Sequence, residues 1–140
     1  MKILISGSHG LVGTALITAL ERDGHDVFRL VRYAPGSDRE IEWSPDRYSI
    51  ALAQIEEFDA VVHLAGESIA EGRWTEARKK QIRDSRVNGT RLLGDALANL
   101  SSPPKSFICA SAIGYYGNRG EELLTESSAP GDDLDRKSVV

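Results

Sequence analysis

Three glycines spaced by three, Gly7, Gly10 and Gly13, stand directly after the apolar run Ile3-Leu4-Ile5 and directly before an amphipathic stretch. The chemistry open to such a segment is anion binding. A tight turn that leads a strand into a helix presents free backbone N–H groups at the positive end of the helix dipole, where a pyrophosphate sits well. Gly7 permits the turn after the strand, Gly10 lets a pyrophosphate approach the backbone, and Gly13 lets the helix pack closely on the sheet. The pattern is G-x-x-G-x-x-G, not the commoner G-x-G-x-x-G, and three glycines alone also serve simply to tighten a turn. The preceding strand, the following helix and a second strand at the expected distance favour a dinucleotide. Its contacts are expected at Gly7, Ser8, His9, Gly10, Leu11, Val12 and Gly13.

The end of the second strand bears on which dinucleotide binds. An NAD site places an acid there for the adenosine ribose hydroxyls. This chain has Leu30-Val31-Arg32-Tyr33, with Asp26 before the strand and Asp38 beyond the following turn. Arg32 suits a ribose 2′-phosphate through bidentate bonding, so NADP is favoured over NAD; a solvated arginine after a strand is the alternative. His9 is either a second contact to that phosphate or a surface turn residue.

Two later segments reach the same crevice. His63-Leu64-Ala65-Gly66 offers small residues on which a ring or ribose can lie, so Leu64, Ala65 and Gly66 join the expected cofactor contacts. His63 has the alternation of a core position and is read as packed and hydrogen-bonded, with cofactor contact as the alternative. Asp59 reads as a turn acid. Ser111 follows Cys109-Ala110 and is placed to offer a hydroxyl to a substrate carbonyl or alcohol beside a nicotinamide, with Tyr115 and Tyr116 walling the pocket. Cys109 reads as a small buried hydrophobe.

The elements that must position these residues alternate strand and helix. Strands are expected at about 2–6, 26–32, 59–65 and 106–110, with a weak one at 40–43. Helices are expected from Leu11 to about Gly24, over Ile50–Phe58, and from Thr75 to Leu100. The first helix would carry Leu11, Val12, Ala15, Leu16, Ala19 and Leu20 on one stripe, the second Leu52 and Ile55 inward. The third would carry Ala77, Ile82, Ser85, Gly89, Leu92, Leu93, Ala96 and Leu97, with an i,i+4 pair Glu76–Lys80 on its surface. This order predicts an α/β fold: a doubly wound parallel sheet of the Rossmann type in three α-β-α layers, ordered 3-2-1-4-5. Residues 1–117 form the dinucleotide-binding core and 118–140 an irregular tail.

Composition narrows the function class. The 140 residues are 41% hydrophobic and carry 17 basic against 21 acidic side chains, a net charge of −4. That is one ordinary domain with no electrostatic case for nucleic acid. A single cysteine excludes an intrachain disulfide and a cysteine-cluster metal site. No apolar run is long enough for a bilayer, and Gly7 comes too early for a secretory leader, so a cytoplasmic setting without membrane partners is expected.

The motifs together resemble the extended short-chain dehydrogenase/reductase superfamily, the relatives of NAD-dependent epimerases and dehydratases. Those that carry the resemblance are Gly7–Gly13, His63–Ile69, Gly72-Arg73-Trp74-Thr75, Ser85–Thr90 and Ser111–Gly117. More narrowly they resemble a branch named as epimerase-family proteins or NADP-dependent oxidoreductases. The resemblance implies that Ser111 is the catalytic serine, Asn88 the helix asparagine, and Gly7, Gly10 and Gly13 the cofactor loop. It also implies a Tyr-x-x-x-Lys pair near Arg136, where this sequence has Asp135-Arg136-Lys137-Ser138. Relatives run to about twice this length, adding further strands and a substrate domain. The chain is thus expected to be the cofactor-binding half of an oxidoreductase or epimerase of unknown substrate, or an inactive module retaining the fold. An exposed apolar face makes self-association an expected property.

Overall fold

The computed structural model describes residues 1–69, 73–111 and 113–131. Six strands form one sheet: β1 (Lys2–Ser6), β2 (Asp26–Val31), β3 (Glu40–Ser44), β4 (Ser49–Ile50), β5 (Ala60–His63) and β6 (Ser106–Cys109), in the order β4-β3-β2-β1-β5-β6. Every pairing is parallel except the β3–β4 hairpin. Helix α1 (Leu11–Arg22) follows β1, and α2 (Glu76–Ala98) joins β5 to β6. The fold is Rossmann-like α/β, and its five parallel strands take the order expected from sequence.

Strand alternation divides the core. Ile3, Ile5, Val27, Ala60 and Val62 pack toward Ile17, Leu16 and Leu20 of α1. Leu4, Leu30, Ile41, Trp43 and Val61 pack toward Leu92, Leu93, Ala96 and Leu97 of α2. Burial on both faces explains why the central strands lack polar alternation. Thr75 caps α2 by accepting a hydrogen bond from the Arg78 N–H at 3.2 Å, and Gly24 takes φ +81° just past α1.

Four local expectations are corrected. No helix spans Ile50–Phe58. Ile50 pairs with Trp43 in the hairpin, and Tyr48 and Glu57 take left-handed backbone on either side, which leaves room for one 3₁₀ turn at Leu52–Gln54. Ile55 is buried as expected, whereas Leu52 is exposed. In α1, Leu11 and Val12 project into solvent, and Ala15 is also exposed. The helix begins past the strand ends, so its contact with the sheet starts at Gly13 and is centred on Ile17. On α2 the ion pairs are Glu76–Lys79 and Lys80–Asp84, not Glu76–Lys80. Finally, Cys109 is exposed: β6 is an edge strand, and all four of its residues, including Phe107 and Ile108, are open to solvent.

Candidate functional site

The glycine turn is sterically closed. Gly7 has φ +74°, and a Cβ on it would lie 2.6 Å from the Leu64 carbonyl carbon. A Cβ on Gly13 would lie 2.3 Å from the Gly7 oxygen. Gly10 is the helix N-cap, in extended backbone, and its added Cβ would meet the Gly7 oxygen at an ordinary 3.4 Å. No side chain caps α1, and its first turn holds no acid. The N–H groups there are therefore available to an anion, and the turn has the shape that a pyrophosphate cradle requires.

Beside this turn lies a cavity of about 440 Å³ at the carboxyl ends of the strands. Gly7, Ser8, His9 and Gly10 form one wall, and Leu30, Val31, Arg32 and Tyr33 another. Leu64, Ala65, Gly66 and Ser85 close a third side, with Trp43, Pro45 and Asp46 completing the lining. The volume falls in the ordinary range for small-molecule sites, about 300–1,000 Å³. Arg32 is exposed at the rim and has no ion-pair partner among the described residues.

The floor of the cavity is held by a buried polar pair. Ser6 Oγ lies 2.5 Å from His63 Nδ1 and accepts the Ala65 N–H at 3.3 Å. The Ser6 oxygen has two lone pairs, so it holds the Ala65 N–H and the His63 ring at once, the direction of the Ser6–His63 bond following the imidazole tautomer. The His63 ring meets the Trp43 ring edge-on, with centroids 5.8 Å apart, and Gly89 of α2 leaves just enough space for both. Burial lowers the His63 pKa from 6.5 to about 4. His63 is thus a packed, hydrogen-bonded residue that supports Ala65 from below.

Beyond Ala65, α2 clamps the chain. Ser85 Oγ accepts the Glu67 N–H at 3.0 Å, Arg78 donates to the Glu67 carboxylate at 2.8 Å and to the Ser68 carbonyl at 2.6 Å, and Arg86 donates to the Glu67 carbonyl at 3.3 Å. The Arg86 guanidinium also lies against Gly66, where an added Cβ would come within 3.3 Å of its Cζ. The small residues Ala65 and Gly66 are thereby fixed as a flat rim.

Residues 3–137 match the NAD dependent epimerase/dehydratase family. The chain belongs to that family. An epimerase family protein of Mycobacterium bovis is 40% identical over 129 residues, which cover 92% of this chain and 42% of that one. The human epimerase family protein SDR39U1 is 35% identical, covering 96% and 44%. Among solved structures, human SDR39U1 (isoform 2) with NADPH superposes with a TM-score of 0.83 at 32% identity, covering 99% of this chain and 47% of that chain. A short-chain dehydrogenase/reductase superfamily protein from Agrobacterium tumefaciens with bound NAD superposes at 0.72 and 28% identity, covering 98% and 41%. The chain therefore spans less than half the length of these relatives.

Within this epimerase-family fold, Gly7, Ser8, His9, Gly10, Arg32, Leu64, Ala65 and Gly66 converge on the cavity. Leu11, Val12 and Gly13 adjoin it through the helix N-terminus without lining it. Ser111 is exposed after β6, Asn88 is half-buried on α2, and neither lines the cavity. Tyr115 and Tyr116 stack edge-on against each other at 5.2 Å. Trp43, Pro45, Asp46 and Ser85 are lining residues that sequence reasoning missed. The β3–β4 hairpin brings the first three to the crevice, and no local pattern announces that return. Ser85 is legible in the sequence as a small residue on the stripe of the third helix and in the Ser85-Arg86-Val87 resemblance, neither of which marks it as a cavity residue. The Tyr-x-x-x-Lys position near Arg136 lies outside the described residues.

Proposed function

We propose that this chain provides the NADP-binding half of an epimerase-family oxidoreductase acting on a small molecule. The observation that carries the reading is the cavity in which the closed glycine turn and Arg32 face one another. In that arrangement the α1 N-terminus holds the pyrophosphate and Arg32 pairs with the ribose 2′-phosphate. Leu64, Ala65 and Gly66 take the flat part of the ligand. The bound dinucleotide supplies the hydride acceptor or donor. Ser111 is proposed as the hydroxyl that orients a substrate oxygen, and Asn88 as the asparagine supporting the site from α2. Human SDR39U1 with NADPH is consistent with the choice of cofactor.

Arg32→Ala tests the cofactor assignment. NADP affinity should fall roughly tenfold or more, the loss of a charge-assisted phosphate contact, while NAD affinity changes little. Equal losses, or a wild-type preference for NAD, would refute it. A second reading, dinucleotide binding without turnover, is favoured by the position of Ser111. It is exposed beside an edge strand, and no titratable group among the described residues is hydrogen-bonded to it. Following reduced-cofactor absorbance over alcohols, ketones and nucleotide sugars separates the two readings. Turnover abolished in Ser111→Ala with cofactor affinity intact establishes the first, and no turnover with NADP binding retained establishes the second.

A further inference from the structure

Behind the rim occupied by Arg32 lies a chain of polar contacts that the cofactor assignment leaves unused. Tyr33 donates its hydroxyl proton to Glu40 Oε1 at 3.1 Å. The same hydroxyl oxygen lies 3.3 Å from His9 Nε2. Glu40 Oε2 accepts the Gly36 N–H at 2.8 Å, and His9 Nδ1 lies 3.2 Å from Ser8 Oγ. The directed bond from Tyr33 to Glu40 sets the protons. A carboxylate only accepts, so Tyr33 gives its proton to Glu40 and its oxygen can only accept from His9 Nε2–H. The His9 ring is thereby oriented, and Ser8 faces its Nδ1.

This arrangement resolves a conflict in the site. Glu40 opens β3 opposite Arg29 of β2 and is tied to Tyr33, just past the end of β2, where a free acid would serve ribose hydroxyls and repel a 2′-phosphate. Both of its oxygens are already engaged, by Tyr33 and by Gly36. We propose that Tyr33 is a specificity-determining residue: its hydroxyl holds the Glu40 carboxylate off the cavity, leaving Arg32 to meet the ribose 2′-phosphate. The proposal rests on the NADP assignment and deepens it. Ser8, His9, Arg32 and Tyr33 line the cavity while Glu40 does not, as a sequestered acid requires. The Gly36 N–H, with the Tyr33 hydroxyl, holds the Glu40 carboxyl below its usual range. Desolvation, and then the bond to Glu40, pushes the Tyr33 phenol above its usual value, so the donated proton is retained.

The test is a set of dissociation constants for NADP and NAD, measured on the full chain at low ionic strength. It compares wild type, Tyr33→Phe, Glu40→Gln, the double variant and Arg32→Ala, with circular dichroism as a check on folding. Tyr33→Phe frees Glu40 and should weaken NADP about tenfold while leaving NAD within about twofold. Adding Glu40→Gln removes the freed charge and should recover most of that loss. The Tyr33→Phe defect should also shrink at high salt, because exposed charges are screened. A double variant no better than Tyr33→Phe, or equal effects on both cofactors, overturns the proposal. If wild type prefers NADP, Arg32→Ala abolishes the preference and Tyr33→Phe is neutral, this proposal alone fails. If wild type prefers NAD or binds neither cofactor, the cofactor assignment fails with it.

Discussion

Lowering the pH from 7.5 to 5 is expected to cost this fold about 2 kcal/mol through His63 alone. Folded His63 is almost wholly buried, is hydrogen-bonded to Ser6 and packs against Trp43, and burial brings its pKa from 6.5 to about 4. The unfolded chain therefore takes up a proton near pH 6.5, whereas the folded chain resists until about pH 4. Because the unfolded state binds more protons in that window, stability rises with pH. It is complete above about pH 7, declines as pH falls through 6.5, and is about 3 kcal/mol lower once both states are protonated below pH 4. The assay is urea unfolding of wild type and His63→Asn at several pH values. Carboxylates contribute equally to both chains, so the difference in slope belongs to His63, whatever the variant's absolute stability. Parallel pH profiles, agreeing within about 0.5 kcal/mol from pH 7.5 to 5, would refute the reasoning.

Gly13→Ala should destabilise the chain by about 1–3 kcal/mol and weaken dinucleotide binding, since its Cβ meets a backbone oxygen that cannot rotate away; thermal unfolding and NADP titration check this. Gly10→Ala should leave stability close to wild type, because its Cβ has ordinary clearance, so any loss confined to NADP affinity would isolate the approach of the pyrophosphate. Thr75→Ala should cost about 1 kcal/mol by removing the α2 cap, read by urea unfolding. Ile108→Thr on the exposed edge strand should reduce self-association in sedimentation with little change in stability.

The sequence by itself determined the layered architecture. Continuous apolar runs at Ile3–Ile5 and Ala60–Val62 require burial on both faces, and only strands sandwiched between helices provide it. It also determined the glycine turn, because Gly13 answers a contact with Gly7 and Ser8 that no side chain tolerates, and Gly7 takes left-handed backbone there; that Leu64 also presses on Gly7 is tertiary. Arg32 was legible for a similar reason: its place at a strand end follows from counting along one element.

What the tertiary structure decided is which distant groups share one space. Trp43, Pro45 and Asp46 reach the cavity only because β3 lies beside β2 and then turns back in a hairpin, and the periodicity of 50–58 suggested a helix instead. The Ser6–His63 pair joins strands 57 residues apart, and Tyr33, Glu40 and His9 meet across three elements. The exposure of Leu11, Val12 and Cys109 was likewise hidden. Periodicity shows which side of an element is apolar, whereas burial depends on whether another element is packed there. At the first turn of α1 and along the edge strand β6, none of the described residues covers that side.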